Sequence, residues 1–293
     1  MSANPANPKN QAGAEATMMR FFLTNDDGIA APGLWAAART LASMGSVLIV
    51  APANNFSGYG PAHPPTQSMA YERYRGEGSA LANITAYSLS ATPAACAHVG
   101  LSGVFGRRPI DMVVSGVNAG ANLGRDVLYS GTVGAALTAQ LLGFPAMAIS
   151  LDFSGSGVAH WETAGWAIRT VFTMWQRRVD STPLVFNVNV PNLPVAGLSG
   201  TQLTTFGTDS FLGKYHFRSD PHDEHTVVAT RHSNGKYDEG RGSDTWNDIA
   251  AVARGRVSIT PLRPFPDLLC VAPWIEAEEY AETPSQFEGN LTR

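Results

Sequence analysis

The sequence predicts an α/β protein with a Rossmann-like three-layer core and a mostly parallel sheet, extended by a C-terminal β-rich arm or hairpin. Three observations carry this. Short, continuously apolar runs such as "SVLIV" and "PAMAISL" alternate with helical stretches, the pattern of strands buried on both faces. The chain has 293 residues, of which 44% are hydrophobic, enough for one large core. After residue 200 the texture becomes polar and turn-rich, with short β-like runs such as "TVVATRH" and "RVSITPL".

Taken in order, residues 1–18 are rich in Ala, Asn and Pro without apolar periodicity, and are expected to be a disordered extension. The stretch lacks the apolar centre of a secretory signal. "RFFLTNDD" reads as a buried strand ending in a loop. "APGLWAAARTLASMG" reads as a helix, with Leu34, Ala37, Ala38 and Leu41 at helical spacing and Gly45 as its stop. "SVLIVAPANNFSGYG" is a strand and a Pro-, Asn- and Gly-rich loop. "AACAHVGLSGVF" suggests a helix, "DMVVSGVNAG" a strand and loop, and "TVGAALTAQLLG" a helix. "PAMAISL" is a strand, "HWETAGWAIRTVFTMWQRR" an amphipathic helix and "PLVFNVNVP" a strand. The expected organisation is therefore a core over 19–200, an arm and return strand over 201–262, and a tail over 263–293.

Bulk properties narrow the function classes. A formal net charge of -4 does not favour a stably bound nucleic acid. No run approaches the roughly 18 apolar residues of a membrane span. Two cysteines, Cys96 and Cys270, cannot form a disulfide framework and fit a reducing compartment, the cytoplasm.

In a doubly wound sheet, ligands bind beyond the carboxyl ends of the strands. Asp26-Asp27, Asn54 to Ser57 and Ser115 to Asn118 each follow an apolar run, so all three should share one rim. Alone, Asp-Asp-Gly is a common turn. With the Ser57 hydroxyl and the amides of Asn118 and Asn122 beside it, the carboxylate pair becomes an all-oxygen site for Mg²⁺ or Mn²⁺. Ser130, Gly131 and Thr132 precede an Ala-rich helix, where free backbone N–H groups and the positive helix end suit an anion, phosphate above all. An ordinary Ser N-cap is the other reading of Ser130.

Six blocks, "LTNDDGIAAPG", "VAPANNFSG", "SGVNAGANLG", "DVLYSGTVGAA", "FNVNVP" and "VSITPL", then stand in an order that resembles the SurE family of survival proteins, metal-dependent 5'/3'-nucleotidases. The resemblance runs from about Arg20 to about Leu262. It implies one divalent cation per subunit on Asp26, Asp27, Ser57 and Asn118, with phosphate held by Asn122, Ser130, Gly131 and Thr132. Asp26, Asp27, Asn122 and Ser130 are then the residues of the chemistry, a nucleoside monophosphate is the substrate, and the arm joins a homodimer or homotetramer. A metal-binding interaction protein without turnover is the alternative. The chain departs from the family pattern at Ala53 to Phe56, Ala95 and Arg125, none of which is a ligand position. The family pattern tends to begin at the methionine preceding its first strand, the place of Met18 or Met19. His222 and His225 in "PHDEH" read as part of a solvated arm rather than as metal ligands, and Asp248 as a helix start.

Overall fold

The computed structural model describes residues 18–65, 68–76, 79, 81–153, 155, 157–177, 184–210, 215–231 and 246–262. The proposed extension, the tail and Cys270 lie outside the described residues. The core alternates as expected: β1 (Met19–Thr24), α1 (Pro32–Ala42), β2 (Gly45–Pro52), β3 (Tyr71–Arg73), β4 (Ile84–Leu89), α2 (Pro93–Leu101), β5 (Met112–Ala119), α3 (Gly131–Leu141), β6 (Ala146–Asp152), α4 (Trp161–Gln176) and β7 (Val185–Pro191). β8 (Thr201–Leu203), β9 (Tyr215–Asp220), β10 (Asp223–Arg231), α5 (Asp248–Ala253) and β11 (Val257–Leu262) follow.

Nine strands form one sheet in the order β3-β4-β2-β1-β5-β6-β7-β11-β8. The run from β4 to β7 is parallel, while β3 and β11 pair antiparallel to β4 and β7. The chain winds outward from β1 to β2 and β4, then returns through α2 to β5 on the other side. The topological switch therefore falls between β1 and β5, the place where such sheets open a crevice.

Side-chain alternation divides the core. Phe21, Leu23, Ile49, Val114 and Ile149 face α1 and α4, meeting Leu34, Leu41, Ile168 and Val171. Phe22, Val50, Val113 and Ala148 face α2 and α3, meeting Ala95, Cys96, Val133 and Ala136. Each large apolar side chain removed from water stabilises the fold by about 1.5–3 kcal/mol. Trp161, Trp166 and Trp175 pack at the margin of the first face.

Three expectations need adjustment. α1 ends at Ala42, with the Ser43 hydroxyl donating to the Thr40 carbonyl at 2.6 Å. Gly45 instead starts β2, where a Cβ would lie 2.0 Å from the Met19 carbonyl. Ser115 to Asn118 are not a loop: they belong to β5, whose register against β6 shifts between Ser115 and Asn118. The short strands β3 and β4 went unread, because the stretch before them is irregular and polar.

β9 and β10 form a separate two-stranded antiparallel sheet, the hairpin expected in the arm, with Phe217 and Val227 exposed. His222 sits near its turn, its backbone N–H donating to Asp220. Among the described residues, no helix is long and apolar enough to cross a membrane.

Candidate active site

The loop after β1 is fixed from both sides. The Asn25 side-chain amide donates to the Gly28 carbonyl at 2.9 Å, and Gly28 takes φ +101°, open to glycine. The Ile29 N–H donates to the Pro52 carbonyl at 2.8 Å and the Phe56 N–H to the Asp26 carbonyl at 2.7 Å, so the loops after β1 and β2 are tied together.

The two carboxylates leave this loop in different directions. Asp26 is buried, and its Oδ1 accepts the Thr132 hydroxyl proton at 2.5 Å. Asp27 is half-buried; its Oδ1 accepts from the Ser57 hydroxyl at 3.4 Å and its Oδ2 from the Ala119 N–H at 3.1 Å. Burial pushes the Asp26 carboxyl up to about 6, opposed by the Thr132 hydrogen bond and reinforced by the charge of Asp27. Burial also raises the Asp27 carboxyl, against the bonds from Ala119 and Ser57. Among the described residues neither carboxylate has an ion-pair partner; the ion pairs found are Arg20–Asp111 and His160–Glu162.

That combination is the test of fit for a cation. Two adjacent carboxylates, one buried and one half-buried, each pushed toward protonation and neither met by a lysine or arginine among the described residues, are stabilised by a positive ion. Ser57 is linked to Asp27 directly, and Asn118 through the next residue's N–H. The Asn118 side-chain amide donates to the Gly120 carbonyl at 2.7 Å, so what it offers a ligand is its oxygen. All of these donors are oxygens, suited to Mg²⁺ or Mn²⁺ rather than to a softer metal. No cluster of three or more His, Cys, Asp or Glu occurs among the described residues, so a cation here relies on hydroxyl and amide oxygens.

α3 delivers the next group. Ser130 caps it, accepting from the Val133 N–H at 3.1 Å. Gly131 is required by proximity: a Cβ there would lie 2.9 Å from the Asp26 Cβ and 3.1 Å from its Oδ2. Thr132 is fully buried and committed to Asp26. The Ser130 hydroxyl proton and the Gly131 N–H are the donors of this turn that point to no carboxylate.

Asn122 is placed differently. Its side-chain N–H donates to Ser150 at 2.8 Å, and its backbone is clamped by Asn187 and Asn189, which donate to its carbonyl at 2.9 and 3.0 Å. Asn189 also accepts from the Asn122 N–H at 2.7 Å. The structure thus brings Asp26, Asp27, Ser57, Asn118, Gly131 and Thr132 to one rim, with Ser130 beside them. The Asn122 side chain is turned onto the sheet. The hydroxyl of Thr132, a residue expected against phosphate, bonds Asp26.

Sequence reasoning missed the Asn187 and Asn189 clamp. Its signal was present in "FNVNVP": two asparagines two residues apart in an apolar strand share one face, and buried amides must find partners. It also missed Asp248, whose carboxylate accepts from the N–H groups of Gly124, Gly207 and Ile249 at 2.7–2.9 Å and so braces the segment leading to Ser130. Every candidate ligand lies between residues 26 and 132; later residues brace them.

The model of the family "Survival protein SurE" matches residues 21–212. A 5'-nucleotidase SurE of Nitrosococcus oceani is 38% identical over 252 residues, 84% of this chain and 91% of that protein. A 5'/3'-nucleotidase SurE of Yersinia pestis is 38% identical over 246 residues, 84% of this chain and 90% of that one. The crystal structure of the SurE protein from Aquifex aeolicus superposes with a TM-score of 0.73 at 28% identity, covering 89% of this chain and 99% of its own. With a dicarboxylate at the switch point, a glycine-opened helix start beside it and likeness over most of its length, the chain belongs to the SurE family.

Proposed function

We propose that the protein is a divalent-metal-dependent phosphomonoesterase that hydrolyses nucleoside 5'- and 3'-monophosphates to nucleoside and phosphate. The single observation that supports this most is the pair of adjacent carboxylates, Asp26 buried and Asp27 half-buried, both pushed toward protonation, with Asp26 against the first turn of α3. The names of the Nitrosococcus and Yersinia relatives support the substrate class.

Asp26, Asp27, Ser57 and Asn118 would hold one Mg²⁺ or Mn²⁺ per subunit. The ion, when bound, neutralises phosphoryl charge and lowers the pKa of water. The chain's own groups do the rest. The Ser130 hydroxyl and the Gly131 N–H donate to the phosphoryl oxygens, where the helix N-terminus favours negative charge. Thr132 fixes the Asp26 carboxylate by its hydroxyl, so that Asp26 cannot swing toward the incoming phosphate. Asp27, the more exposed of the two, orients the attacking water and accepts its proton. Asn122 holds the loop before Ser130 in place through Ser150, Asn187 and Asn189.

The hairpin of β9 and β10 pairs protomers into a homodimer or homotetramer, supported by its exposed Phe217 and Val227 and its separation from the main sheet. The cysteine usage supports a cytoplasmic protein, and the net charge of -4 supports the absence of a stably bound nucleic acid. Phosphate release from AMP, GMP and 3'-AMP, with Mn²⁺ and with chelator, tests the proposal. Metal-dependent release is expected; none from any nucleotide overturns it.

A further inference from the structure

Two segments border the candidate site, the loop after β2 and the 3-10 turn Gly124–Tyr129 before α3, and each carries an exposed tyrosine. In the loop after β2, Tyr59 follows the candidate ligand Ser57 by two residues and is 65% exposed. Before α3, Tyr129 directly precedes Ser130 and is 43% exposed, beside Leu128 at 68%. The segments touch: a Cβ on Gly60 would lie 3.7 Å from the Tyr129 Cα and from the Leu128 carbonyl oxygen. The first loop also lies on α3, where a Cβ on Gly134 would come within 2.7 Å of Pro61. Phe56, half-buried and tied to Asp26 through its N–H, supports Tyr59 edge-on, with ring centroids 5.3 Å apart at 71°.

Single exposed apolar side chains are ordinary on a protein surface. Two tyrosines and a leucine on touching segments, beside candidate ligands that are carboxylates, hydroxyls and amides, give a polar site an apolar edge. Tyrosine is rigid and presents a π-face, on which any nucleobase stacks without a hydrogen-bond code.

We infer that Tyr59, Tyr129 and Leu128 form the mouth that receives the nucleobase of the substrate while its phosphate lies at Ser130 and Gly131. This rests on the proposed phosphomonoesterase reading. It assigns base recognition to stacking, so the protein accepts purine and pyrimidine monophosphates alike and favours both over a phosphate ester that has no base.

The test compares AMP and CMP with ribose 5-phosphate in the full-length wild type, Tyr59→Ala, Tyr129→Ala and the double variant. Two readouts are taken: calorimetric affinity, and phosphate release with Mn²⁺. The wild type is expected to bind AMP more tightly than ribose 5-phosphate. The ratio of the two affinities is expected to fall roughly 5- to 100-fold in the double variant, the range of one lost base stack. Tyr59→Phe and Tyr129→Phe should restore it. An affinity ratio unchanged by the alanine variants overturns the inference, as does an equal fall for both ligands. The two readings separate cleanly. A tyrosine-dependent preference for AMP without phosphate release supports the mouth and sinks the phosphatase, whereas release from all three esters with no such preference does the reverse.

Discussion

Thr132 gives its hydroxyl proton to Asp26 across 2.5 Å, which joins the first turn of α3 to the loop after β1. One hydrogen bond thus couples the proposed phosphate side of the site to its proposed metal side. Thr132→Val keeps the shape and deletes the donor. It leaves a buried carboxylate short of one charge-assisted bond, a loss of about 1.5–3 kcal/mol. Urea unfolding near neutral pH in chelator should show a destabilisation of that order, and Thr132→Ser should recover most of it.

Asp26 sets a pH dependence whose sign is opposite to that of a salt-bridged carboxylate. Its folded value of about 6 lies above the ordinary 3.8. Between those values the folded chain holds a proton that the unfolded chain has lost. Its contribution to stability is therefore intact below pH 4 and lost as pH rises through 6. The loss is on the order of 2–3 kcal/mol. In chelator, Asp26→Asn should flatten this fall and be the more stable protein at pH 8, although inactive. Mn²⁺ should raise the stability of the wild type at pH 8 and leave Asp26→Asn nearly unmoved. Unfolding curves at pH 4.5 and 8 check all three outcomes.

Asp27→Asn should lower phosphate release by a factor on the order of 10³, since it removes both a charge and a proton acceptor from the reacting centre. Gly131→Ala acts by space. Its Cβ would press on the Asp26 Cβ and Oδ2 at 2.9 and 3.1 Å, and a displacement of about 1 Å costs on the order of 10²-fold. Turnover assays should find both variants impaired, with unchanged far-UV circular dichroism.

Asp248→Ala strips three backbone N–H groups of their shared acceptor. A loss on the order of 3 kcal/mol is expected in chemical denaturation, because each buried donor left unpaired costs about 1–3 kcal/mol.

Deleting the hairpin residues 215–231 should leave the nine-stranded sheet folded and reduce the mass measured by light scattering to that of a monomer. A full-length chain that already scatters as a monomer would refute the pairing role.

The parallel order of the core was legible because every buried strand declares itself as an apolar run, and the rim followed from the rule for switch points. Asp26, Asp27 and Ser57 could be placed from their strands alone. What could not be read was direction. Nothing in "SGTVGAA" tells that Ser130 caps the helix while Thr132 turns back to Asp26, since both are hydroxyls at a helix start. The inward turn of Asn122 likewise depends on β7, 65 or more residues away, whose two asparagines meet it only after folding. Asp248 reads locally as a helix start and does sit at the first turn of α5, behind the Asn247 cap. Its long-range role in bracing Gly124 has no local signal.

Because the candidate ligands end at Thr132 while the hairpin comes after residue 200, the proposed chemistry and the proposed assembly lie in different stretches of the chain. An exchange confined to residues 215–231 would leave every candidate ligand and the Asp248 brace in place, so quaternary form could be retuned without rediscovering the reaction.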